Sequence, residues 1–235
     1  MDKFLQGRYA VVTGGTRGIG RAITESLLDA GADVAICGRS QEAVDRAVNE
    51  MKARGNVIGH AADVGRPEDV AGFFEFVDRA FGKLNILVNN AGVGVFRSVA
   101  DLTVEDWRTT LETNLSGVFY CCHAAIARFR KSGGGYVINI SSLAGKNPFA
   151  AGAAYNASKF GLNGFSEALM LDHRNENIRV SYIMPGSVAT EFGAGGGGDW
   201  KIAPEDIAEL VIDLLRMPER TLVSRLEVRP SRPKK

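Results

Sequence analysis

Short apolar runs rich in Val, Ile and aromatic residues recur at 8–14 (RYAVVTG), 32–37 (ADVAIC), 56–63 (NVIGHAAD), 85–92 (NILVNNAG), 135–141 (GYVINIS), 178–186 (IRVSYIMPG) and 222–228 (LVSRLEV). Each has the length of a strand and is bounded by turn-forming residues, so seven strands are expected. Between them the apolar positions take a helical spacing, over roughly 19–30, 41–54, 67–81, 103–131, 152–173 and 204–216. Strands that alternate with helices form right-handed βαβ units, which predict a parallel sheet covered by helices on both faces. Helix starts are marked by Thr103 with Asp106, an N-cap with an acid in the first turn, and by Pro67 followed by Glu68 and Asp69.

No linker, repeat or charge block divides the pattern, so residues 1–235 are expected to form one domain. The regular spacing lapses at 186–203, where GAGGGGD predicts a short, flexible substrate loop, and at the basic tail 229–235, expected to be a solvated end. With 45% hydrophobic residues in 235, the chain can bury one sizeable core. Its 28 basic and 27 acidic residues leave a net charge of +1, too weak a field to gather nucleic acid or an anionic membrane. No run reaches 18 apolar residues, and a soluble, cytoplasmic protein is expected. Cys37, Cys121 and Cys122 are odd in number and include no CxxC, which fits reduced, buried thiols. His60, His123 and His173 have no paired ligand spacing, so no metal is expected.

The first strand runs into TGGTRGIG, which opens a helix. Glycines at 14, 18 and 20 let the backbone turn tightly and approach a diphosphate at the helix N-terminus, and Thr16, Arg17 and Ile19 share that loop. A second loop, Asn90-Ala91-Gly92, follows the fourth strand on the neighbouring rim of the same crevice. Both loops point to a dinucleotide. At the end of the second strand, where an NAD-preferring protein carries an acid for the ribose hydroxyls, this chain has Gly38, then Arg39 and Ser40. Arg39, with Arg17 on the same side, suits a 2′-phosphate, so NADP(H) is the expected cofactor. Asp63 and the Val64 backbone follow the third strand, positioned for the adenine or, alternatively, to cap the next turn.

YNASK places Tyr155 and Lys159 one helical turn apart. Two readings compete: an interface tyrosine beside a solvated lysine, or a phenol made acidic by a neighbouring ammonium. Taken together, TGGTRGIG, Asp63-Val64, NNAG, Asn114 in TNLSGVF, Ser142 in INISS, YNASK and PGSVAT at 185–190 resemble the short-chain dehydrogenase/reductase family over essentially the whole chain. The resemblance implies a single-domain Rossmann fold, a doubly wound seven-stranded parallel sheet with helices on both faces. It also implies catalysis by Asn114, Ser142, Tyr155 and Lys159, with Tyr155 as general acid/base, Lys159 lowering its pKa and bonding the nicotinamide ribose, and Asn114 holding a water within a distorted helix. Pro185, Gly186, the Val188 backbone and the Thr190 hydroxyl would meet the nicotinamide end.

The substrate wall implied is apolar: Val93, Gly94, Phe96, Leu143, Phe149, Phe192 and Trp200, beside Ser142 and Tyr155. A small carbonyl or secondary alcohol is the expected substrate, and reduction of a 3-oxoacyl thioester fits, with Arg128, Arg130, Lys131 and Arg174 as possible contacts for an acyl carrier protein. The ending TLVSRLEVRPSRP departs from the glycine-rich end of those reductases, which keeps a broad carbonyl reductase or alcohol dehydrogenase open. A non-catalytic NADP(H) sensor is the alternative of a different class. Ala, Phe and Leu faces on 103–131 and 152–173 imply a homodimer or homotetramer.

Overall fold

The computed structural model describes residues 3–192 and 198–233. Each of the seven apolar runs contains a strand: β1 (Tyr9–Thr13), β2 (Asp33–Gly38), β3 (Val57–Ala61), β4 (Ile86–Asn89), β5 (Gly135–Ile140), β6 (Ile178–Pro185) and β7 (Arg225–Val228). They form one parallel sheet in the order β3-β2-β1-β4-β5-β6-β7. Alternate strand residues point to opposite faces, and both faces are buried. Ala10 and Val12 enter one core with side chains of α1 (Gly18–Asp29), α2 (Gln41–Met51) and α7 (Pro204–Arg216). Val11 enters the other with α3 (Pro67–Phe81), α5 (Gly117–Ser132) and α6 (Ala153–His173). Two buried faces explain why the strands read as continuous apolar runs rather than alternating ones. Each fully buried Val, Leu, Ile or Phe contributes about 1.5–3 kcal/mol, so these layers dominate the stability. The three cysteines are buried, and burial pushes the Cys37 and Cys122 thiols up to about 12.

Local signals act as expected at several helix ends. Thr103 and Asp106 form a reciprocal capping box at α4 (Val104–Leu111). Pro67, Glu68 and Asp69 open α3, and Gly82 closes it at φ +66°. The pattern at 103–131 is not one α-helix, however. Between α4 and α5 the chain makes a π turn over Glu112–Ser116, and the turn carries the fully buried Asn114. An apolar periodicity is nearly blind to one extra residue in a turn, but the distortion expected at Asn114 from the family resemblance falls at this break.

Because β1 lies between β2 and β4, the chain must leave β3 and cross to the far side of β1. The two crossovers diverge at the carboxyl ends of β1 and β4, which opens a crevice there. The glycine run after β6 falls largely on residues 193–197, outside those described. Its flanks are tied together: the Ala189 amide donates to Ile202 O at 2.9 Å and the Ile202 amide to Ser187 O at 3.0 Å. The described tail is exposed at Arg229, Ser231, Arg232 and Pro233, as expected of a solvated end, while Pro230 is half-buried. The Gly186 amide donates to Val228 O at 2.8 Å, and a Cβ on Gly186 would lie 3.1 Å from Pro230 Cδ. A proline-broken basic composition carries no signal of that packing. No helix among the described residues is long and apolar enough to cross a membrane.

Candidate active site

The crevice is built around Thr13 and Asn90. Thr13 Oγ1 accepts from the Asn90 and Ala91 amides at 3.0 and 3.1 Å, while Asn90 Nδ2 donates back to Thr13 O and Gly14 O at 3.0 and 3.1 Å. These four bonds hold the loop after β1 against the loop after β4. The α1 helix then packs into the joint through Gly20, where a Cβ would stand 2.3 Å from both Asn90 Nδ2 and Gly14 O. Gly14 and Gly18 have φ +65° and +54°, the region that glycine enters without strain. Arg17, the N-cap of α1, makes no side-chain cap bond, so the first-turn amides remain available to an anion. A backbone cradle closed to any Cβ, at an uncapped helix start, fits a dinucleotide diphosphate.

Along the rim, Ser40 caps α2 by accepting from the Ala43 amide at 3.3 Å. Arg39 is exposed and has no carboxylate partner among the described residues. Arg17 differs from the expectation, because its Nη1 meets Glu191 Oε2 of the opposite rim at 2.9 Å. Asp63 Oδ1 accepts from the Gly65 amide at 3.0 Å, so the turn-capping role is filled while Asp63 and Val64 still line the cleft.

Deeper in the cleft, α6 presents Tyr155 and Lys159, which are 9% and 5% exposed. Lys159 Nζ donates to Ile140 O at 2.9 Å and stands 5.8 Å from the centre of the Tyr155 ring. Burial draws the ammonium down to about 8. Burial likewise pushes the Tyr155 phenol up, and a hydrogen bond with Ser142 opposes that shift. The direction is opposite to the acidified phenol expected from the spacing, because burial disfavours the charged phenolate. Ser142 follows β5 and accepts from the Ala144 amide at 3.1 Å, which fixes its hydroxyl at the start of a short turn.

Asn114 works from behind. Its Oδ1 accepts from the Val93 amide at 2.8 Å, and its Nδ2 donates to Val93 O at 2.9 Å and to Ser158 Oγ at 3.1 Å. Ser158 donates in turn to Tyr155 O at 2.8 Å. The π turn is thereby tied to the β4 loop and to the backbone of the residue that carries the phenol.

A model of the short chain dehydrogenases matches residues 8–196. The chain belongs to the short-chain dehydrogenase family. A relative at 32% identity is a 3beta-hydroxysteroid dehydrogenase of Mediterraneibacter gnavus, aligned over 94% of this chain and 82% of that protein. Among solved structures, a metagenomic short-chain oxidoreductase in complex with NADP has a TM-score of 0.87 at 36% identity, covering 97% of this chain and 99% of its own. An alcohol dehydrogenase of the archaeon Thermococcus sibiricus, complexed with 5-hydroxy-NADP, has a TM-score of 0.89 at 29% identity, with the same coverage. Short-chain dehydrogenases are oxidoreductases that act on small molecules, and this fold is theirs.

In this family member one cleft brings together Gly14, Thr16, Arg17, Gly18, Ile19, Arg39, Ser40, Asp63, Val64, Asn90, Ala91, Gly92, Ser142, Tyr155, Lys159, Pro185, Gly186, Val188 and Thr190. Val93, Phe96, Leu143, Phe149, Phe192 and Trp200 line it as well. Three sequence candidates stand behind that surface. Gly20 is buried under the cradle, Asn114 is fully buried, and Gly94 lies beneath Phe96 and Phe192, where a Cβ would come within 2.8 Å of each ring. Sequence reasoning missed Ser158 and Asn163. Asn163 accepts from Ser141 Oγ at 2.5 Å and donates to Gly145 O at 3.0 Å, so it grips the chain on both sides of Ser142. Asn163 stands one helical turn after Lys159 and Ser158 three residues after Tyr155, so each shares a helix face with a predicted site residue, a signal that was present. Arg229 and Pro230 of the tail also line the cleft, with no signal in the sequence.

Proposed function

We propose that the chain is an NADPH-dependent reductase that converts a carbonyl to a secondary alcohol, with Tyr155 as the general acid. The observation that carries the reading is that Ser142, Tyr155 and Lys159 line the same cleft as the glycine cradle. When bound, the nicotinamide would supply the hydride. The residues of the chain manage the charge that develops on oxygen. Ser142 and Tyr155 donate hydrogen bonds to the carbonyl oxygen, and the Tyr155 proton passes to it as the alkoxide forms. Lys159 stabilises the phenolate left behind, and Asn114 holds the helix that carries both. A raised phenol pKa suits this direction, since the proton is in place before the charge appears.

Preference for NADP(H) over NAD(H) is supported by Gly38 in place of an acid, by the unpaired Arg39, and by the NADP ligands of the two solved relatives. On the substrate side, an apolar ketone is favoured over a carrier-bound 3-oxoacyl thioester. Two of the basic residues expected to dock a carrier already hold carboxylates: Arg128 meets Asp78 at 2.6 Å and Arg130 meets Glu176 at 2.5 Å. An alcohol dehydrogenase or hydroxysteroid dehydrogenase acting on a related apolar alcohol is the same chemistry in reverse. Half-exposed Trp107, Phe119 and Phe160 on α4, α5 and α6 support assembly as a homodimer or homotetramer, checked by light scattering, in which a monomer at micromolar concentration contradicts it.

The test is NADPH oxidation against a panel of ketones and 3-oxoacyl thioesters. Turnover of at least one ketone, lost in Tyr155→Phe, is expected. Tight NADPH binding with no turnover across the panel would instead indicate a sensor.

A further inference from the structure

Three phenylalanines surround the phenol of Tyr155. The Phe96 ring lies 5.6 Å from that of Tyr155 at 82°, Phe192 lies 5.8 Å away at 50°, and Phe149 lies 6.4 Å away at 51°. Phe96 and Phe149 also meet each other edge to face at 5.6 Å. The collar is built rather than fortuitous, because two glycines make room for it. A Cβ on Gly94 would strike Phe96 and Phe192 at 2.8 Å, and one on Gly152 would strike Phe149 at 2.7 Å. Asn156 further holds the Phe149 carbonyl at 2.9 Å. Yet Phe96, Phe149 and Phe192 remain 41%, 45% and 41% exposed, so much of each ring is left without a partner at the mouth of the cleft.

We infer that this collar selects uncharged substrates in which the carbonyl is carried beside a planar ring, in preference to a straight acyl chain. The inference rests on the carbonyl-reductase reading and names the substrate class of that site. A flexible chain would gain only the area it covers. An inserted ring gains the area and also the edge-to-face and offset contacts that tilted aromatic neighbours offer. Tyr155 is the only ionisable group of the four rings, so nothing in the collar compensates a buried charge.

The experiment compares two methyl ketones of equal carbon number and reactivity, 4-phenylbutan-2-one and decan-2-one, in NADPH-dependent reduction. A kcat/KM several-fold higher for the ring ketone is expected, with each of Phe96→Leu and Phe149→Leu lowering the ratio of the two efficiencies by about two- to tenfold. The ratio is taken on one preparation, so a partly folded variant does not distort it. Equal efficiencies, or variants that leave the ratio unchanged, overturn the collar. Calorimetric binding of the same two ketones to the protein with NADP⁺ separates the two readings. Ring-selective binding without turnover sinks the reductase and keeps the collar, whereas turnover without ring selectivity sinks the collar and keeps the reductase.

Discussion

The glycine cradle and the aromatic mouth line one cleft, and they are built on different principles. The cradle is backbone: Thr13, Asn90 and three glycines close on one another through bonds near 3.0 Å, with no space for an added methyl at Gly20. The mouth is side chains, with half-exposed rings that come from the segments after β4, β5 and β6. A ligand common to many proteins can be met by a backbone shape that few sequences permit. A ligand particular to one protein is met by side chains that can be exchanged without disturbing the sheet. The first kind of site constrains residue identity strongly, and the second constrains it weakly.

The sharpest way to break the comparison is Gly20→Ala. Its methyl would have to displace Gly14 O and Asn90, and overpacking of this kind costs about 1–3 kcal/mol. Both thermal stability and NADPH affinity should fall, whereas Gly72→Ala, with open space around its Cβ position, should leave affinity intact. If Gly20→Ala binds NADPH normally, the cradle does not set the cofactor site. Arg39→Ala should next lower kcat/KM for NADPH by about tenfold or more and leave NADH nearly unaffected, as expected for loss of a charge-assisted hydrogen bond. A loss shared equally by both cofactors would detach Arg39 from the 2′-phosphate.

A third effect, spread over several pH units, lies in the pH dependence of Lys159. Its folded pKa is depressed to about 8 from 10.5, so between those values the unfolded chain binds more protons than the folded one. Stability therefore rises with pH through that window, by roughly 3 kcal/mol at most from this residue. Stability curves of the wild type and Lys159→Met, compared between pH 7 and 11, should converge or cross in that direction. A constant difference across the range would place the ammonium in solvent.

The cradle and the sheet were legible because their constraints repeat at fixed spacing. Continuous apolar runs marked strands buried on both faces, and TGGTRGIG, NNAG and YNASK marked where the chain must turn or place a charge. The π turn at Glu112–Ser116 left no mark on the apolar stripe, which one extra residue in a turn barely alters, and was foreshadowed only by the resemblance that placed Asn114 in a distorted helix. Ser158 and Asn163 were passed over as helix polars, although each bonds a residue beside the phenol or Ser142. The direction of the Tyr155 shift was misjudged, because spacing reports proximity to Lys159 and says nothing of burial. Arg229 and Pro230 reach the cleft only through the pairing of β7 with β6, a contact distant in sequence.

Single-turnover transfer of deuterium from 4-deuterated NADPH to a ketone, followed in the wild type and in Tyr155→Phe, tests the proton-donor role most directly. General acid catalysis predicts rapid label transfer in the wild type and a loss of about 100- to 10,000-fold in the variant, with NADPH binding preserved. Equal rates of transfer in the two proteins would contradict it.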